Sequence, residues 1–292
     1  MDNKFNNMLQ EFLEKNNVKD INEANEKLQE FIKMYNNGEI EYKNTPFDEA
    51  YEILEEAQYT KNEKEAIKLA KKAYKKSSDC FDAILFQCDL EENVIKRMKQ
   101  LNDGLEFEKN RLTNEKYFDK ENIGHFYGIF ETRPYIRGLS IKAEYLLEEG
   151  KLRQAANICK EVLRLNENDN LGIRYLLMAI YATLEEEKSM LDLYKKYPEE
   201  DLEMLFPLFA IYYKSGNDKK ALEYLKRIDK CNSNFVKYFN GTIKQSKKVS
   251  SGYYSRGDSS EIFMYLDRYI YLLITMPKLN EYIIENLIKN KK

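Results

Sequence analysis

Residues 139–166 read LSIKAEYLLEEGKLRQAANICKEVLRLN, and this stretch decides the fold. Leu139, Ala143 and Leu146 recur at helical spacing, and so do Leu152, Ala155, Cys159, Val162 and Leu163. Each half therefore carries one apolar stripe of the kind an amphipathic helix buries. Between the halves stands Gly150, which takes positive φ without steric cost and can end one helix just before the next begins. Ala155 falls where the two helices cross, and a larger side chain would push them apart. The stretch predicts an antiparallel helical hairpin.

The pattern recurs on both sides. Gly216 and Ala221 lie 66 residues after Gly150 and Ala155, within a second hairpin at about 201–231. A degenerate unit fills the gap from Asn170 to Pro198, with Ala179 and Ala182 in its first helix. Its turn, Glu185-Glu186-Glu187, lacks glycine. An earlier unit spans Phe47 to Ser78, with Ala57, Ala66, Ala70 and Ala73 at the close-packing positions. A spacing of 66 residues is close to twice the period of about 34 residues that marks tetratricopeptide (TPR) repeats. The reading is an all-α, TPR-like α-α superhelix, a helical-hairpin solenoid with extra N- and C-terminal helices.

Residues 1–44 are expected to form an N-terminal helical segment, with two helices ended at Asn36-Asn37-Gly38. The repeat array covers 45–236, and within it Phe81 to about Phe118 predicts one short helix and then a long one. Residues 237–256 carry Gly241, Gly252 and several serines and read as a polar loop. Residues 257–292 supply C-terminal capping helices. The first opens on the capping-box sequence Asp258-Ser259-Ser260-Glu261 and runs to about Thr275, and a last short helix follows Pro277. An amphipathic helix at this position closes the open end of a solenoid.

Composition excludes several functional classes. Only 11 Gly and 5 Pro in 292 residues leave too few turn markers for a β-rich chain. The formal net charge of −3 argues against a chain built mainly to coat nucleic acid, although acid is in excess over the first 60 residues and lysine is abundant from Lys61 to Lys76. Cys80, Cys88, Cys159 and Cys231 form no C-x-x-C pair, and one histidine in the chain leaves no zinc spacing. No metal and no cofactor is expected. Unpaired cysteines fit a reducing cytosol. The N-terminus is polar, and the best apolar run, Ile262 to Met276, is broken by Asp267 and Arg268. It falls short of the roughly 20 apolar residues a span requires. A cytoplasmic protein without membrane association is the expectation.

The run Gly124-His125-Phe126-Tyr127-Gly128-Ile129-Phe130-Glu131-Thr132-Arg133-Pro134-Tyr135-Ile136-Arg137 contains an E-T-R-P-Y-x-R segment. One hairpin later comes Leu165-Asn166-Glu167-Asn168-Asp169-Asn170-Leu171-Gly172-Ile173-Arg174-Tyr175. Together these runs resemble a bacterial family of TPR proteins that carries both, in this order, with a repeat between them. The stretches Ser78–Ala83 and Thr275-Met276-Pro277 also resemble family positions, so the resemblance covers residues 45 to 285. The chain is distantly similar, too, to the eukaryotic suppression-of-tumorigenicity family. Some members of the bacterial family carry a C-terminal metal-binding cysteine and histidine segment, and this chain lacks it. The resemblance implies a TPR fold and partner binding; it supplies no reaction.

Two readings of these motifs stand side by side. Arg133, Tyr135, Arg137, Asn170, Arg174 and Tyr175 can form a cationic, aromatic-edged pocket for a carboxylate or phosphate, because guanidinium forks match such anions. Alternatively, Arg133 or Arg174 forms inter-repeat salt bridges with Glu131 or Asp169. Thr132 is expected to cap the helix that Pro134 enters, and Asp169 or Asn168 the next repeat's first helix. Tyr213 and Lys214 are placed near the concave face as further binding candidates, whereas Tyr212 is a packing residue. Tyr253, Tyr254 and Arg256 are expected to fold against the array.

Lys61, Lys64, Lys68, Lys71, Lys72 and Lys75 share one face of a helix, either a solvated surface or a patch for nucleic acid or an acidic partner. The positions of a chaperone-binding carboxylate clamp hold Arg137, Ser140, Ile141 and Glu144, then Ile173, Leu176, Leu177 and Ile180. That set does not match, so a chaperone-tail adaptor is not expected. His125 has no nucleophile-and-base context, and no glycine-rich phosphate loop exists. The functional expectation is a non-catalytic scaffold or adaptor that holds a peptide or protein in a TPR groove. The alternative is a regulator that uses the Arg/Tyr pocket for an anionic ligand or nucleic acid.

Overall fold

The computed structural model describes residues 3–18, 20–40, 42–243 and 254–288. Every regular element among them is helical, and β-type pairing is confined to one bridge, His125 with Asn166. The chain divides into two compact units, Met1–Glu115 and Lys116–Lys292. This division falls inside the segment that the repeat pattern treats as one array.

In the first unit, α1 (Asn3–Lys15) and α2 (Ile21–Asn36) pack through Phe5, Phe12, Phe31 and Tyr35, with Phe31 fully buried. Next comes the hairpin of α3 (Pro46–Tyr59) and α4 (Glu63–Lys76). Thr45 and Asp48 form a reciprocal capping box ahead of α3, and Asn62 accepts from the Glu65 N–H to start α4. Ala57, Ala66, Ala70 and Ala73 are buried as the pattern predicts, in a core with Leu54 and Leu69. The short α5 (Asp82–Asp89) and long α6 (Val94–Asn114) follow. Gly104 lets α6 approach closely, since a Cβ there would meet the Phe81 ring at 2.8 Å.

The second unit contains three successive hairpins: α7 (Arg133–Glu148) with α8 (Leu152–Leu165), α9 (Ile173–Leu184) with α10 (Glu187–Lys196), and α11 (Leu202–Lys214) with α12 (Asp218–Cys231). The turns share one device. Gly150, Glu185 and Gly216 all sit in the left-handed region, at φ 72°, 60° and 71°. Glu185 thus occupies the glycine slot of the degenerate repeat, a conformation a side chain makes less favourable.

Helices α9 and α11 are apolar almost all round, and nearly every residue of both is buried. Such helices must be covered on every side. The neighbouring hairpins cover part of them, and the C-terminal segment covers the rest. That segment comprises α13 (Asn234–Phe239), α14 (Ser259–Arg268), α15 (Ile270–Ile274), α16 (Leu279–Ile283) and a π-helical turn at Ile284–Ile288. Helix α15 packs on α9, Tyr265 meets Phe206 of α11, and Tyr282 meets Phe209 and Tyr213. The segment that the sequence reads as capping helices packs on the first helices of two hairpins, α9 and α11.

Local details depart from expectation here. The helix expected to reach Thr275 breaks at Tyr269, between α14 and α15. Asp258 caps α14 through the Ser260 N–H, but Glu261 accepts from Asn232 and the Gly257 N–H, so the reciprocal half of the box is absent. Of the 237–256 loop, 237–239 belong to α13, and 244–253, with Gly252 and Tyr253, lie outside the described residues. No described helix is long and apolar enough to cross a membrane.

Candidate functional site

The structure brings the two motif runs together by backbone pairing. The Phe126 N–H donates to Leu165 O at 3.0 Å, and the Glu167 N–H to Gly124 O at 2.9 Å. Gly124 has φ 97°, and a Cβ there would come within 3.1 Å of the Glu167 side chain. The backbone therefore favours glycine here, and any side chain would also press on Glu167.

Within the first run the side chains serve the loop itself. Thr132 is buried and its hydroxyl donates to Phe126 O and bonds Ile129 O, so it does not cap α7 through its side chain as expected. Arg133 donates to Tyr127 O at 2.5 Å and lies over the Phe130 ring at 4.1 Å. Tyr135 is 4% exposed and packs edge-on against Phe118. Arg137 is exposed.

The second run builds a clamp at the start of α9. Asp169, in the left-handed region at φ 48°, accepts from the Ile173 N–H at 2.8 Å and the Arg174 N–H at 2.9 Å. Its Oδ2 also accepts from Arg174 Nη1 at 2.8 Å. Arg174 Nη2 reaches both oxygens of Glu199 at 3.1 Å, and Tyr175 Oη bonds Glu199 at 2.6 Å and Asp201 at 3.0 Å. Asp201 in turn caps α11 through the Met204 N–H. One ionic chain thus ties the starts of two successive first helices. Arg174 is nearly buried and already engaged: its pair with Asp169 is local to the start of α9, and the inter-hairpin pair is made with Glu199 rather than with Glu131 or Asp169. Burial pushes the Asp169 carboxyl above its ordinary range, while the bonds from Arg174 and Ile173 pull it back.

Beside this chain lies an open cleft of about 350 Å³ lined by Asn170, Arg174, Tyr175, Tyr254, Arg256 and Arg268, together with Asp169, Leu171, Gly172 and Glu203. Arg256 sits 3.6 Å from Asp201, and Arg268 3.6 Å from Glu203. These are ion-pair distances, longer than charge-assisted hydrogen bonds. Both arginine side chains are more than half exposed, 68% and 57%, while the side chains of their acidic partners are nearly buried. Burial also pushes the Asp201 and Glu203 carboxyls up.

The sequence-predicted residues therefore separate. Asn170, Arg174 and Tyr175 line the cleft, and Tyr254 and Arg256 join them as expected; Arg133, Tyr135 and Arg137 do not. Tyr213 packs on Tyr282 at 4.9 Å, and Lys214 donates to Ala182 O and Thr183 O at the end of α9 and pairs with Glu185. Both serve packing and helix termination here. Glu199, Asp201, Glu203 and Arg268 were missed. The available signals were the acidic first turn after Pro198 and the charge that interrupts the apolar run 262–276. Of the two alternatives, the cleft shows ion pairing: each arginine faces a carboxylate, so its lining is charge-balanced rather than cationic.

Burial pushes the thiols of Cys80, Cys88 and Cys159 up to about 12 and that of Cys231 to about 11. No described group of three or more His, Cys, Asp or Glu side chains is arranged to hold a metal ion. No protein-family model matches the chain, and no curated protein matches it.

Proposed function

We propose that this is a non-catalytic, cytoplasmic interaction protein of the TPR kind, and that it holds a peptide or protein partner by an acidic group docked in the cleft at the start of α9. The observation that carries the reading is the pair Arg256 and Arg268: exposed side chains, loosely paired at 3.6 Å, beside the exposed Tyr254. An incoming carboxylate can exchange into these pairs and form the shorter forked bonds that guanidinium favours. Arg174 and Tyr175 position the floor.

The three hairpins with a left-handed residue in the same turn slot support the repeat assignment, as does the resemblance of both motif runs to bacterial TPR proteins. The middle of the α9 and α11 face is covered by α14–α16, so the accessible part of that face is this end. Thiols held far above neutral pH are poor nucleophiles, which favours the non-catalytic reading.

The test is quantitative affinity capture followed by calorimetry with the purified captured protein. Wild type is compared with R256A/R268A and with R137A, all shown to be folded by circular dichroism. The expected result is a loss of affinity of about tenfold or more for R256A/R268A, with R137A near wild type. Equal affinity for R256A/R268A would reject the site. Tight binding of inorganic phosphate by wild type, with no protein partner, would favour the small-anion alternative.

A further inference from the structure

A second surface lies wholly within the first unit. Between α4 and α6, the short α5 leaves a groove of about 480 Å³. Its floor is apolar: Ile84 of α5 is nearly buried, Tyr74 flanks it, and Gly104 brings α6 down onto Phe81 and Ile84. Its rim is basic. Lys71 rises from α4, and Lys96 and Lys99 from α6, against the single carboxylate of Asp103. That carboxylate pairs with Lys99 at 2.5 Å. Among the described residues, Lys71 and Lys96 have no ion-pair partner.

Apolar surface continues beyond the groove. Phe107 is 45% exposed and meets the Tyr74 ring at 6.5 Å. A single exposed apolar side chain is ordinary, but a contiguous set along a groove marks a contact surface. A hydrophobic groove between helices is the receptor surface of helix-in-groove recognition.

We infer that this groove receives an acidic amphipathic helix of a partner protein, with apolar side chains on Ile84, Tyr74 and Phe107 and carboxylates toward Lys71, Lys96 and Lys99. Charge complementarity selects the occupant. The lysine rim favours acid, and the apolar floor requires an apolar stripe that a phosphate backbone does not offer. The site is independent of the cleft beside α9.

The test uses a fluorescein-labelled helical peptide with leucine on one face and glutamate on the other, titrated by anisotropy with the full chain. Wild type is expected to bind, and K71E/K96E to weaken binding by about tenfold or more. K64E/K68E, the same charge change on α4 outside the groove, is expected to alter it by less than about threefold. A peptide with serine for leucine is expected to lose binding to wild type. No binding by wild type would overturn the proposal, as would equal losses in the two double variants or undiminished binding of the serine peptide. Displacement of the peptide by duplex DNA at equal concentration would assign the basic rim to nucleic acid instead.

Discussion

Asp169→Ala tests the ionic chain at the start of α9 most directly. The change removes two acceptors from the first turn of a helix, a capping loss of about 1 kcal/mol. It also leaves Arg174, 13% exposed, with Glu199 as its remaining carboxylate, and an under-satisfied buried donor costs about 1–3 kcal/mol. Desolvation of the aspartate itself offsets part of this, since burial pushes its carboxyl up. The net expectation is a loss of about 2–3 kcal/mol. For a unit of this size that lowers Tm by about 5–10 °C. Urea titration followed by circular dichroism gives the free energy, and a cycle with R174A isolates the pair. The double variant should lose less than the two singles together, by about 1 kcal/mol or more. A loss below about 0.5 kcal/mol for D169A, or strict additivity in the cycle, would refute the clamp.

Three further outcomes follow from the same geometry. Glu203, Asp201, Glu144 and Glu108 are all pushed up by burial, so the folded state holds protons that the unfolded state has released. Stability is therefore expected to rise as pH falls from neutrality toward their ordinary values of 3.8–4.5, with E203Q flattening the rise in Tm measured at constant ionic strength. Below that range, Glu199 and Glu200, whose carboxyls are pulled down by Tyr175, Arg174 and Arg227, lose their pairs and stability falls. Glu185→Gly relieves a left-handed glutamate and should stabilise by about 0.5–1 kcal/mol in urea titration, whereas Gly150→Ala should destabilise by a similar amount. Cys80, Cys88 and Cys159 should resist a thiol reagent at pH 7.5 until denaturant is added; rapid labelling of the native chain would contradict their burial.

Local chemistry made much of the architecture readable. Apolar stripes at helical spacing, alanines at crossings, and Gly150 and Gly216 at turns act within a few residues, so the hairpins α3–α4, α7–α8 and α11–α12 follow from the sequence alone. The degenerate α9–α10 hairpin was readable too, although Glu185 had to take the glycine conformation. Asp169 as the start of a helix was likewise a local signal. What side chains do across long separations was not local. Arg174 meets Glu199, Arg256 meets Asp201 and Arg268 meets Glu203 only after three elements have packed. Charge balance in the cleft is therefore a tertiary property: the sequence leaves a cationic pocket and salt bridges to Glu131 or Asp169 as alternatives, and the carboxylates of Glu199, Asp201 and Glu203 join the arginines only through packing. Coverage of α9 and α11 was half visible. Helices apolar all round announce that something must bury them, but nothing in their own residues says what. Tertiary packing assigned that role to the chain's own C-terminal segment, because burying apolar surface is non-directional and any suitably patterned helix satisfies it.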